Sequence, residues 1–169
     1  MAGLLTRQVR QWVQAYNPKH FFDLYAGVGT FGFISAKDVP HVYCIEESVP
    51  SLEALRMNRD EKKSKSLEII QGESEKAFPL LMQQREVTDS MVCVDPPRFG
   101  LSKNLAEFIR DSSRVGQLVY ISCDLATLVR DLKIILEDGR FRVQEIVPLD
   151  MFPRTKHIEI AALIIYNSN

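Results

Sequence analysis

Short apolar runs alternate along the chain with stretches in which apolar residues recur at every third or fourth position. The runs are typical of buried β-strands, and the periodic stretches are typical of amphipathic helices. The first periodic stretch predicts a helix that packs on the edge of the sheet and ends before Asn17-Pro18. Residues 61–65 are predicted to form a charged loop. Further helices are predicted at 31–36, 49–60, 75–84 (interrupted near Pro79), 101–112 and 125–137. Strands are predicted at 21–23, 41–45, 67–71, 90–94, 117–122, 141–147 and 157–166.

The order of these elements predicts the fold class. The first five strands alternate with helices, which is the pattern of parallel strands in an open α/β sheet. Met151-Phe152-Pro153 leaves room only for a turn between the last two strands, so these should form an antiparallel hairpin. The sequence therefore predicts a Rossmann-like α/β fold with a seven-stranded, mostly parallel sheet and an antiparallel C-terminal strand.

A glycine loop follows the first predicted strand. Asp23, Gly27 and Gly29 have the spacing D-x-x-x-G-x-G. Glycine permits positive φ and lets a ligand approach backbone N–H groups, and the helix that follows offers its positive N-terminus. The third glycine of the dinucleotide-binding fingerprint is missing. The loop therefore favours an adenosine with an amino-acid tail over a dinucleotide, although Gly-x-Gly pairs also occur in ordinary turns.

Side chains that can bind or react follow five of the predicted strands. In an open α/β sheet the carboxyl ends of parallel strands share one edge, where ligands bind. Glu46 lies 23 residues after Asp23, close to the interval of about 20 at which an acid accepts hydrogen bonds from ribose hydroxyls. A solvated glutamate at a strand end is the alternative. The residues predicted to converge on this edge are Asp23, Glu46, Glu73, Asp95 and Cys123.

Asp95-Pro-Pro-Arg98 follows the fourth predicted strand. Because proline lacks an N–H and restricts the residue before it, two prolines cannot continue a central strand. The chain should therefore leave the sheet in a rigid, extended conformation. Asp95 and Arg98 would then lie close to a ligand at this edge.

Composition narrows the class of protein. The chain has 169 residues, 46% hydrophobic and 25% charged, which predicts a single domain over residues 1–169 with the N-terminal helix, residues 1–17, packed on it. A formal net charge of −1 gives no overall positive field that would attract nucleic acid, so any contact with nucleic acid should be local.

Cys44, Cys93 and Cys123 lack metal-ligand spacing and cannot all form disulfide pairs. No apolar run reaches the roughly 20 residues of a membrane span, so we expect a soluble, cytoplasmic protein without a metal.

Four segments carry a family resemblance. They resemble the successive motifs of the RNA (uracil-5-)methyltransferases, which use S-adenosylmethionine to make 5-methyluridine in ribosomal or transfer RNA. The resemblance runs from about Phe21 to the end of the chain. It implies the class I S-adenosylmethionine-dependent methyltransferase fold, S-adenosyl-L-methionine as cofactor and an RNA substrate. The segments are Asp23-Leu-Tyr-Ala-Gly-Val-Gly-Thr-Phe31, Asp95-Pro-Pro-Arg98, Tyr120-Ile-Ser-Cys-Asp124 and Asp150-Met-Phe-Pro-Arg-Thr-Lys-His-Ile-Glu159.

The resemblance assigns Cys123 and Glu159 to catalysis. C5 of uracil is a poor carbon nucleophile, and addition of a thiolate to C6 turns C5 into an enolate carbon that can attack a methyl group. Cys123 is expected to be that nucleophile, and Glu159 the base that afterwards removes the proton from C5. The alternatives are a small buried side chain for Cys123 and an exposed partner of Lys156 for Glu159.

The resemblance also implies the cofactor site. Glu46 is expected at the ribose, Glu73 near the adenine, and Asp95 at the methionine end or the target base. Arg98 is expected to steady the uracil or its developing enolate charge. The full set of implied cofactor-binding residues is Asp23, Tyr25, Gly27, Gly29, Thr30, Glu46, Glu73 and Asp95.

Some positions depart from the family pattern. Asp124 and Thr30 stand where many relatives have asparagine. A carboxylate beside Cys123 would disfavour its thiolate, so Asp124 is expected to point away. Family members carry preceding sequence that includes a glutamine in contact with the cofactor and often a small RNA-binding β-barrel, and this chain is expected to lack both.

The function expected from these residues is methyl transfer to C5 of a uridine in ribosomal or transfer RNA. One alternative is a methyltransferase that acts on another substrate, because the glycine loop and Glu46 suit any member of the fold. A second alternative is a unit that binds cofactor or RNA but is inactive without its N-terminal region. Candidate phosphate contacts, with solvated surface positions as the alternative, are Lys103, Arg154 and Lys156.

Overall fold

The computed structural model describes residues 2–62, 66–149 and 159–167. Strands and helices alternate as far as the fifth strand, as predicted, and the last helix is followed by two consecutive strands. In chain order the elements are α1 (Ala2–Tyr16), β1 (His20–Leu24), a π-helix (Phe31–Ser35), β2 (His41–Glu46), α2 (Val49–Lys62), β3 (Leu67–Gln71), α3 (Ser74–Gln84), β4 (Ser90–Val94), α4 (Lys103–Asp111), β5 (Val115–Ser122), α5 (Leu125–Ile135), β6 (Phe141–Leu149) and β7 (Glu159–Tyr166).

The described strands form one seven-stranded sheet in the order β3-β2-β1-β4-β5-β7-β6. β1 to β5 are parallel, whereas β7 is antiparallel to both of its neighbours. The predicted α/β sheet and its antiparallel C-terminal strand are confirmed. β7 lies inside the sheet because it pairs with β5 as well as with β6.

Helices cover both faces of the sheet, and every residue of β1 and β4 is buried, as expected for strands between two helical layers. On one face, α1 and α2 pack through residues such as Trp12 and Leu52. On the other face, α3, α4 and α5 pack through Phe78, Leu105 and Leu128. None of the helices in the described ranges has the length and apolar character needed to cross a membrane.

α1 packs on a face of the sheet, and the prediction that it packs on the edge is wrong. Its buried residues Val9 and Trp12 belong to the same apolar core as Phe21 of β1. Trp12 Nε1 also donates a hydrogen bond to Glu145 Oε2 of β6 at 2.8 Å. The apolar stripe of α1 is wide enough to bury against a sheet face, which an edge cannot offer.

The helix predicted at 31–36 is a five-residue π-helix. The Ala36 amide donates to the Phe31 carbonyl, five residues back, at 3.0 Å. The Gly32 amide donates to Asp23 Oδ2 at 2.9 Å, and a Cβ at Gly32 would lie 2.6 Å from Cys44 Sγ. Close packing against β1 and β2 therefore sets the shape of this short helix, and residue spacing alone does not reveal it.

Two other helices are more regular than predicted. α3 continues through Pro79, although an interior proline removes a hydrogen bond and clashes with the preceding turn. The buried side chains of Phe78 and Met82 hold α3 against the sheet on both sides of the proline. α2 continues to Lys62, so the first residues of the predicted 61–65 loop are helical.

Candidate active site

β1, β2 and β4 end at one level on the same edge of the sheet. Leu24 of β1 pairs with Ile45 of β2 and with Val94 of β4. The next residues of the two outer strands, Glu46 and Asp95, therefore flank the loop that follows β1. The predicted convergence is confirmed for Glu46 and Asp95, which both line one cavity at this edge, whereas Asp23 is buried within β1 and Glu73 is not part of the lining.

Cys123 and Glu159 reach this edge from strands of opposite direction. β5 ends at Ser122, which pairs with Ile160 of β7. Cys123 is the next residue after β5, and Glu159 is the first residue of β7. Because β7 is antiparallel, its beginning lies beside the end of β5. The register thus brings the two residues to neighbouring positions on adjacent strands.

A cavity of about 280 Å³ opens among the ends of β1, β2 and β4. Larger concavities of about 840 and 530 Å³ lie at the opposite edge, near the beginnings of β5 and β6. A further concavity of about 430 Å³ lies near the beginnings of β2 and β3. The described residues that line these three concavities include none of the predicted site residues, so the cavity of about 280 Å³ is the candidate site. Its lining consists of Tyr25, Glu46, Glu47, Gly72, Ser74, Asp95, Pro96 and Pro97.

The Glu46 carboxylate is held by three backbone amides. Its Oε2 accepts from Gly27 N at 2.8 Å. Its Oε1 accepts from Glu47 N at 3.0 Å and from Ser48 N at 2.7 Å. A carboxylate has about four lone-pair positions, so Glu46 can accept one further hydrogen bond. These bonds fix the Glu46 side chain in place, and they connect the end of β2 to the glycine loop.

The two glycines of the loop, Gly27 and Gly29, meet different structural constraints. Both have positive φ, +55° for Gly27 and +83° for Gly29. A Cβ at Gly29 would lie 2.4 Å from Leu55 Cδ1, so this residue is required by packing against α2. A Cβ at Gly27 would meet no atom within 4 Å. The expected close approach of a ligand to the backbone therefore fits Gly27 better than Gly29.

Tyr25 joins the glycine loop to the start of α3. It has φ of +58°, which is unusual for a residue with a side chain. Its amide donates to Ser74 Oγ at 3.1 Å, and its hydroxyl donates to Glu75 Oε1 at 2.6 Å. These two bonds hold the strained residue beside the cavity.

Asp23 is fully buried in β1. Its Oδ2 accepts from Gly32 N at 2.9 Å and contacts Cys44 Sγ at 3.9 Å, whereas its Oδ1 has no hydrogen-bond partner. Burial raises the pKa of Asp23 to about 8, and the negative charges of Asp95 and Glu46 add to this effect. Burial therefore favours the protonated form of Asp23 over a much wider pH range than for an exposed carboxyl.

Asp95 lies at the wall of the cavity. Its side chain keeps contact with solvent, but the concave surroundings still remove part of its hydration. Desolvation, followed by the nearby charge of Glu159, raises the pKa of Asp95 to about 6. This coupling to Glu159 also links the cavity to the end of β5.

The three cysteines occupy different environments. Cys44 and Cys93 are fully buried within β2 and β4. Burial raises the pKa of both thiols well above the usual value, with a further contribution from the nearby Asp23. Cys123 is half-buried at the strand end. Of the three, only Cys123 has the exposure that a nucleophile needs.

Asp124 caps the N-terminus of α5. Its carboxylate accepts from Thr127 N at 2.9 Å. The Thr127 amide lowers the pKa of Asp124, and the charge of Arg98 acts in the same direction. The carboxylate is thus directed to the helix, in agreement with the expectation that it points away from Cys123. Arg98 itself is exposed and lies near this helix N-terminus.

The family of the chain follows from comparison with known proteins. The family model for tRNA (Uracil-5-)-methyltransferase matches residues 5–167. The chain belongs to the tRNA (uracil-5-)-methyltransferase family. An uncharacterized RNA methyltransferase of Clostridium acetobutylicum is 38% identical over 143 residues, which cover 85% of this chain and 30% of the relative. One from Bacillus cereus is 37% identical over 84% of this chain and 30% of its own length. The chain thus spans about 30% of the length of these curated relatives.

Solved structures confirm the fold. The Pyrococcus abyssi tRNA (uracil-54, C5)-methyltransferase, in complex with S-adenosyl-L-homocysteine, has a TM-score of 0.79 and 32% identity over 97% of this chain and 38% of that chain. A putative O-methyltransferase from Klebsiella pneumoniae, at 12% identity, has a TM-score of 0.74 over 99% of this chain and 82% of that chain. At that identity the second likeness concerns the fold alone. The expected class I methyltransferase fold is confirmed.

The cavity lining includes three of the cofactor-binding residues implied by the family resemblance, Tyr25, Glu46 and Asp95, and the other five are not part of it: Asp23, Gly27, Gly29, Thr30 and Glu73. Glu73 is exposed, and its Oε1 accepts from Lys76 Nζ at 2.7 Å, whereas its neighbours Gly72 and Ser74 line the cavity. Thr30 precedes the π-helix and makes no capping hydrogen bond with its side chain. The expected roles of both at the cofactor stay predictions. The family motif at 150–158, with Arg154, Lys156 and His157, lies outside the described residues.

Sequence reasoning missed Arg130 and Asp131 of α5. The fully buried Asp131 Oδ2 accepts from Leu101 N at 2.7 Å and from Tyr120 Oη at 2.6 Å. Arg130 donates to the Phe99 carbonyl at 2.8 Å and to Asp131 Oδ1. Together they hold the segment that follows Arg98. One signal was available, since Asp131 falls on the apolar stripe of α5, where an acid needs partners.

Proposed function

We propose that this chain is the catalytic part of an enzyme that uses S-adenosylmethionine to methylate C5 of a uridine in ribosomal or transfer RNA, with residues 1–169 as one catalytic domain. The register of β5 with β7 carries the proposal, because it supports a nucleophile at Cys123 and a base at Glu159 acting on one pyrimidine ring. The Pyrococcus abyssi relative is named a methyltransferase of C5 of uracil 54 in transfer RNA. This name supports uracil as the target base and C5 as the methylated atom.

Three residues in or beside the cavity fit the cofactor. Gly27 leaves open space for a ligand against the backbone. Glu46 keeps one acceptor position, which suits a ribose hydroxyl. Asp95 offers a carboxylate to the cationic part of the molecule. When bound, S-adenosylmethionine supplies an electrophilic methyl group.

The role of Cys123 is to activate the pyrimidine. Its thiolate forms a bond from Sγ to C6, and the electrons of the C5–C6 double bond move to C5 and O4 as an enolate. C5 is then nucleophilic enough to take the methyl group. The exposed Arg98 is suitably charged to stabilise the enolate oxygen.

The role of Glu159 is to complete the reaction. After methylation C5 carries both the methyl group and its original proton. Glu159 takes this proton, the electrons of the C5–H bond restore the C5–C6 double bond, and the Sγ–C6 bond breaks to release Cys123 as thiolate. The reacting ring must leave its stack to reach these groups, so the uridine is flipped out of the RNA. Lys103, Arg154 and Lys156 are the proposed phosphate contacts.

Covalent trapping tests this mechanism. RNA that contains 5-fluorouridine cannot lose a proton from C5 after methylation, so the Sγ–C6 bond should persist. We expect a denaturant-resistant protein–RNA complex with the wild-type chain and with Cys93→Ala, and none with Cys123→Ala. Cys93→Ala is the matched control because it removes a buried thiol outside the cavity. Methyl transfer that survives in Cys123→Ala would contradict the proposed mechanism.

Calorimetry separates this proposal from its alternatives. S-adenosylhomocysteine should bind the wild-type chain, and Glu46→Ala should weaken binding at least about tenfold through loss of a buried, charge-assisted hydrogen bond. Binding of S-adenosylhomocysteine without methyl transfer to any uridine-containing RNA would favour a cofactor-binding unit that is inactive by itself. Methyl transfer to a different substrate, independent of Cys123, would favour the other alternative.

A further inference from the structure

A β-turn continues from the wall of the cavity. The Gly100 amide donates a hydrogen bond to the Pro97 carbonyl at 2.8 Å, which closes a turn with Arg98 and Phe99 at its two central positions. Pro97, the first residue of the turn, lines the cavity. Phe99 therefore lies at the tip of a turn that begins in the candidate active site.

The turn is also close to the proposed nucleophile. The charge of Arg98 acts on Asp124, the residue that follows Cys123. A Cβ at Gly100 would lie 3.2 Å from Thr127 Cβ in the first turn of α5. The turn thus lies between the cavity and the helix that follows the nucleophile, so its tip is next to the position proposed for the reacting uridine.

α5 holds the backbone of this turn. Arg130 Nη2 donates to the Phe99 carbonyl at 2.8 Å and to the Leu101 carbonyl at 3.1 Å. Gly100 has φ of +76°, and a Cβ there would lie 2.5 Å from Asp131 Oδ2. The two prolines that precede the tip restrict the chain from the other side. A backbone fixed in this way lowers the entropy cost of presenting a side chain to a ligand.

The Phe99 side chain does not serve the core. It is 67% exposed, and neither apolar core cluster of the described residues includes it. It also lies just outside the family motif that ends at Arg98. Exposed apolar side chains are common on protein surfaces, but this one is presented on a rigid turn beside the candidate site. The arrangement favours contact with a ligand.

Two arginines flank Phe99. Arg98 precedes it and is exposed, and Arg130, which is bonded to its carbonyl, is 51% exposed. The acids near these arginines are used within the protein, since Asp124 caps α5 and Asp131 is fully buried. An exposed ring beside exposed cations is typical of sites for single-stranded nucleic acid, where the ring stacks on a base and the cations attract the phosphates. The cations favour RNA over an apolar protein surface as the partner.

We propose that Phe99 stacks on a base next to the target uridine and so stabilises the RNA with that uridine turned out of its stack. This inference rests on the proposed function, because it takes the ligand to be RNA. A uridine that leaves its stack deprives its neighbour of a stacking partner. The Phe99 ring replaces that partner, and it accepts any of the four bases, because every base has a π-face.

The test is binding of a short single-stranded RNA that has one uridine between two adenosines. Fluorescence anisotropy measures its affinity for the chain in the presence of S-adenosylhomocysteine. Phe99→Ala should weaken binding about tenfold, the effect of losing one stacked base. Phe99→Tyr keeps the ring and should bind as the wild type does. Phe99→Leu keeps apolar area without a ring and should bind nearly as weakly as Phe99→Ala.

A second RNA isolates the contribution of the stacked base. It carries abasic ribose on both sides of the uridine, so no neighbouring base is left for the ring. The wild type should bind this RNA about tenfold more weakly than the intact one, whereas Phe99→Ala should bind the two alike. Met57→Ala is the matched control, because Met57 is an exposed apolar residue of α2 outside the cavity. It should behave as the wild type.

Equal affinities of the wild type and Phe99→Ala for the intact RNA would overturn the inference and leave a protein partner as the explanation for the exposed ring. A loss in Phe99→Ala that is equally large on the abasic RNA would also overturn it. Both results leave the proposed function intact, because trapping of 5-fluorouridine RNA by Cys123 does not depend on them. A folded wild-type chain that binds S-adenosylhomocysteine but no RNA would contradict both the inference and the RNA substrate.

Discussion

Asp23 and Asp131 are both fully buried, but their carboxylates are satisfied very differently. Asp131 accepts hydrogen bonds from the Leu101 amide, the Tyr120 hydroxyl and the Arg130 guanidinium. Asp23 accepts from one amide and has an oxygen without a partner. Asp131 lies between α5 and the loop after β4, whereas Asp23 lies within β1 and contacts the Gly32 amide and Cys44.

This difference shows that the role of a buried acid can be inferred from its hydrogen bonds. A carboxylate with donors on both oxygens holds elements together, and its removal leaves those donors unpaired. A carboxyl with an unpaired oxygen joins fewer elements, and the unpaired oxygen costs stability. Four substitutions test this distinction, in order of decreasing effect.

Asp131→Ala should have the largest effect on stability. It leaves the Leu101 amide and the Tyr120 hydroxyl buried without an acceptor, and removes the partner of Arg130. The free energy of unfolding should fall by roughly 3–5 kcal/mol, measured by urea denaturation. Asp38→Ala, at an exposed acid on the surface, is the control and should leave it nearly unchanged. A loss of less than about 1 kcal/mol would mean that Asp131 is not a structural anchor.

Asp23→Asn should change how stability depends on pH. The folded-state pKa of Asp23 is about 8, above the ordinary value of 3.8. Its contribution is therefore complete below pH 3.8 and is lost as pH rises to about 8. The wild-type free energy of unfolding, relative to that of Asp23→Asn, should decline by up to about 1.4 kcal/mol per pH unit between pH 5 and 7. Parallel curves for the two proteins would show that Asp23 is ionised when folded.

Tyr120→Phe should have an intermediate effect. It removes the hydroxyl that donates to Asp131 at 2.6 Å but keeps the aromatic ring in the core. Since Asp131 keeps its other donors, the free energy of unfolding should fall by about 1–2 kcal/mol. A double-mutant cycle with Asp131→Asn measures the coupling. Simple additivity of the two changes would argue against a direct interaction.

Arg130→Gln should have the smallest effect. The Arg130 side chain is 51% exposed, and solvent screening limits what an exposed charge contributes. We expect a loss of about 0.5–1 kcal/mol, measured by thermal denaturation at low and at high salt. A loss as large as that of Asp131→Ala would mean that Arg130, rather than Asp131, anchors the segment from Phe99 to Leu101.

The sequence was sufficient to predict the strand-end residues. The positions of Glu46, Asp95 and Cys123 follow from local patterns, because an apolar run shows where a strand ends and parallel strands share one carboxyl edge. The short connection predicted the antiparallel hairpin of the last two strands, but the pairing of β7 with β5, which brings Glu159 beside Cys123, was not predicted. Residue spacing therefore predicts the position of a side chain wherever the course of the backbone alone determines that position.

The details that were missed depend on contacts between side chains far apart in sequence. The amides that hold Glu46 and the partners of Asp131 arise only after the strands are assembled. Glu73 follows β3 as predicted, but its side chain pairs with Lys76 and not with the cavity. The π-helix results from the fit of Gly32 against Cys44. A pattern of single residues carries none of this pairwise information.

The position of β7 has a consequence for folding. β7 follows β6 along the chain, yet it lies between β5 and β6 in the sheet. Until β7 arrives, β5 presents an unpaired apolar edge that can associate with other chains. A ribosome makes β6 before β7, so the sheet cannot grow outward strand by strand as synthesis proceeds. Assembly of this half waits for Glu159–Tyr166, and a nascent chain stalled before that segment should be prone to aggregation.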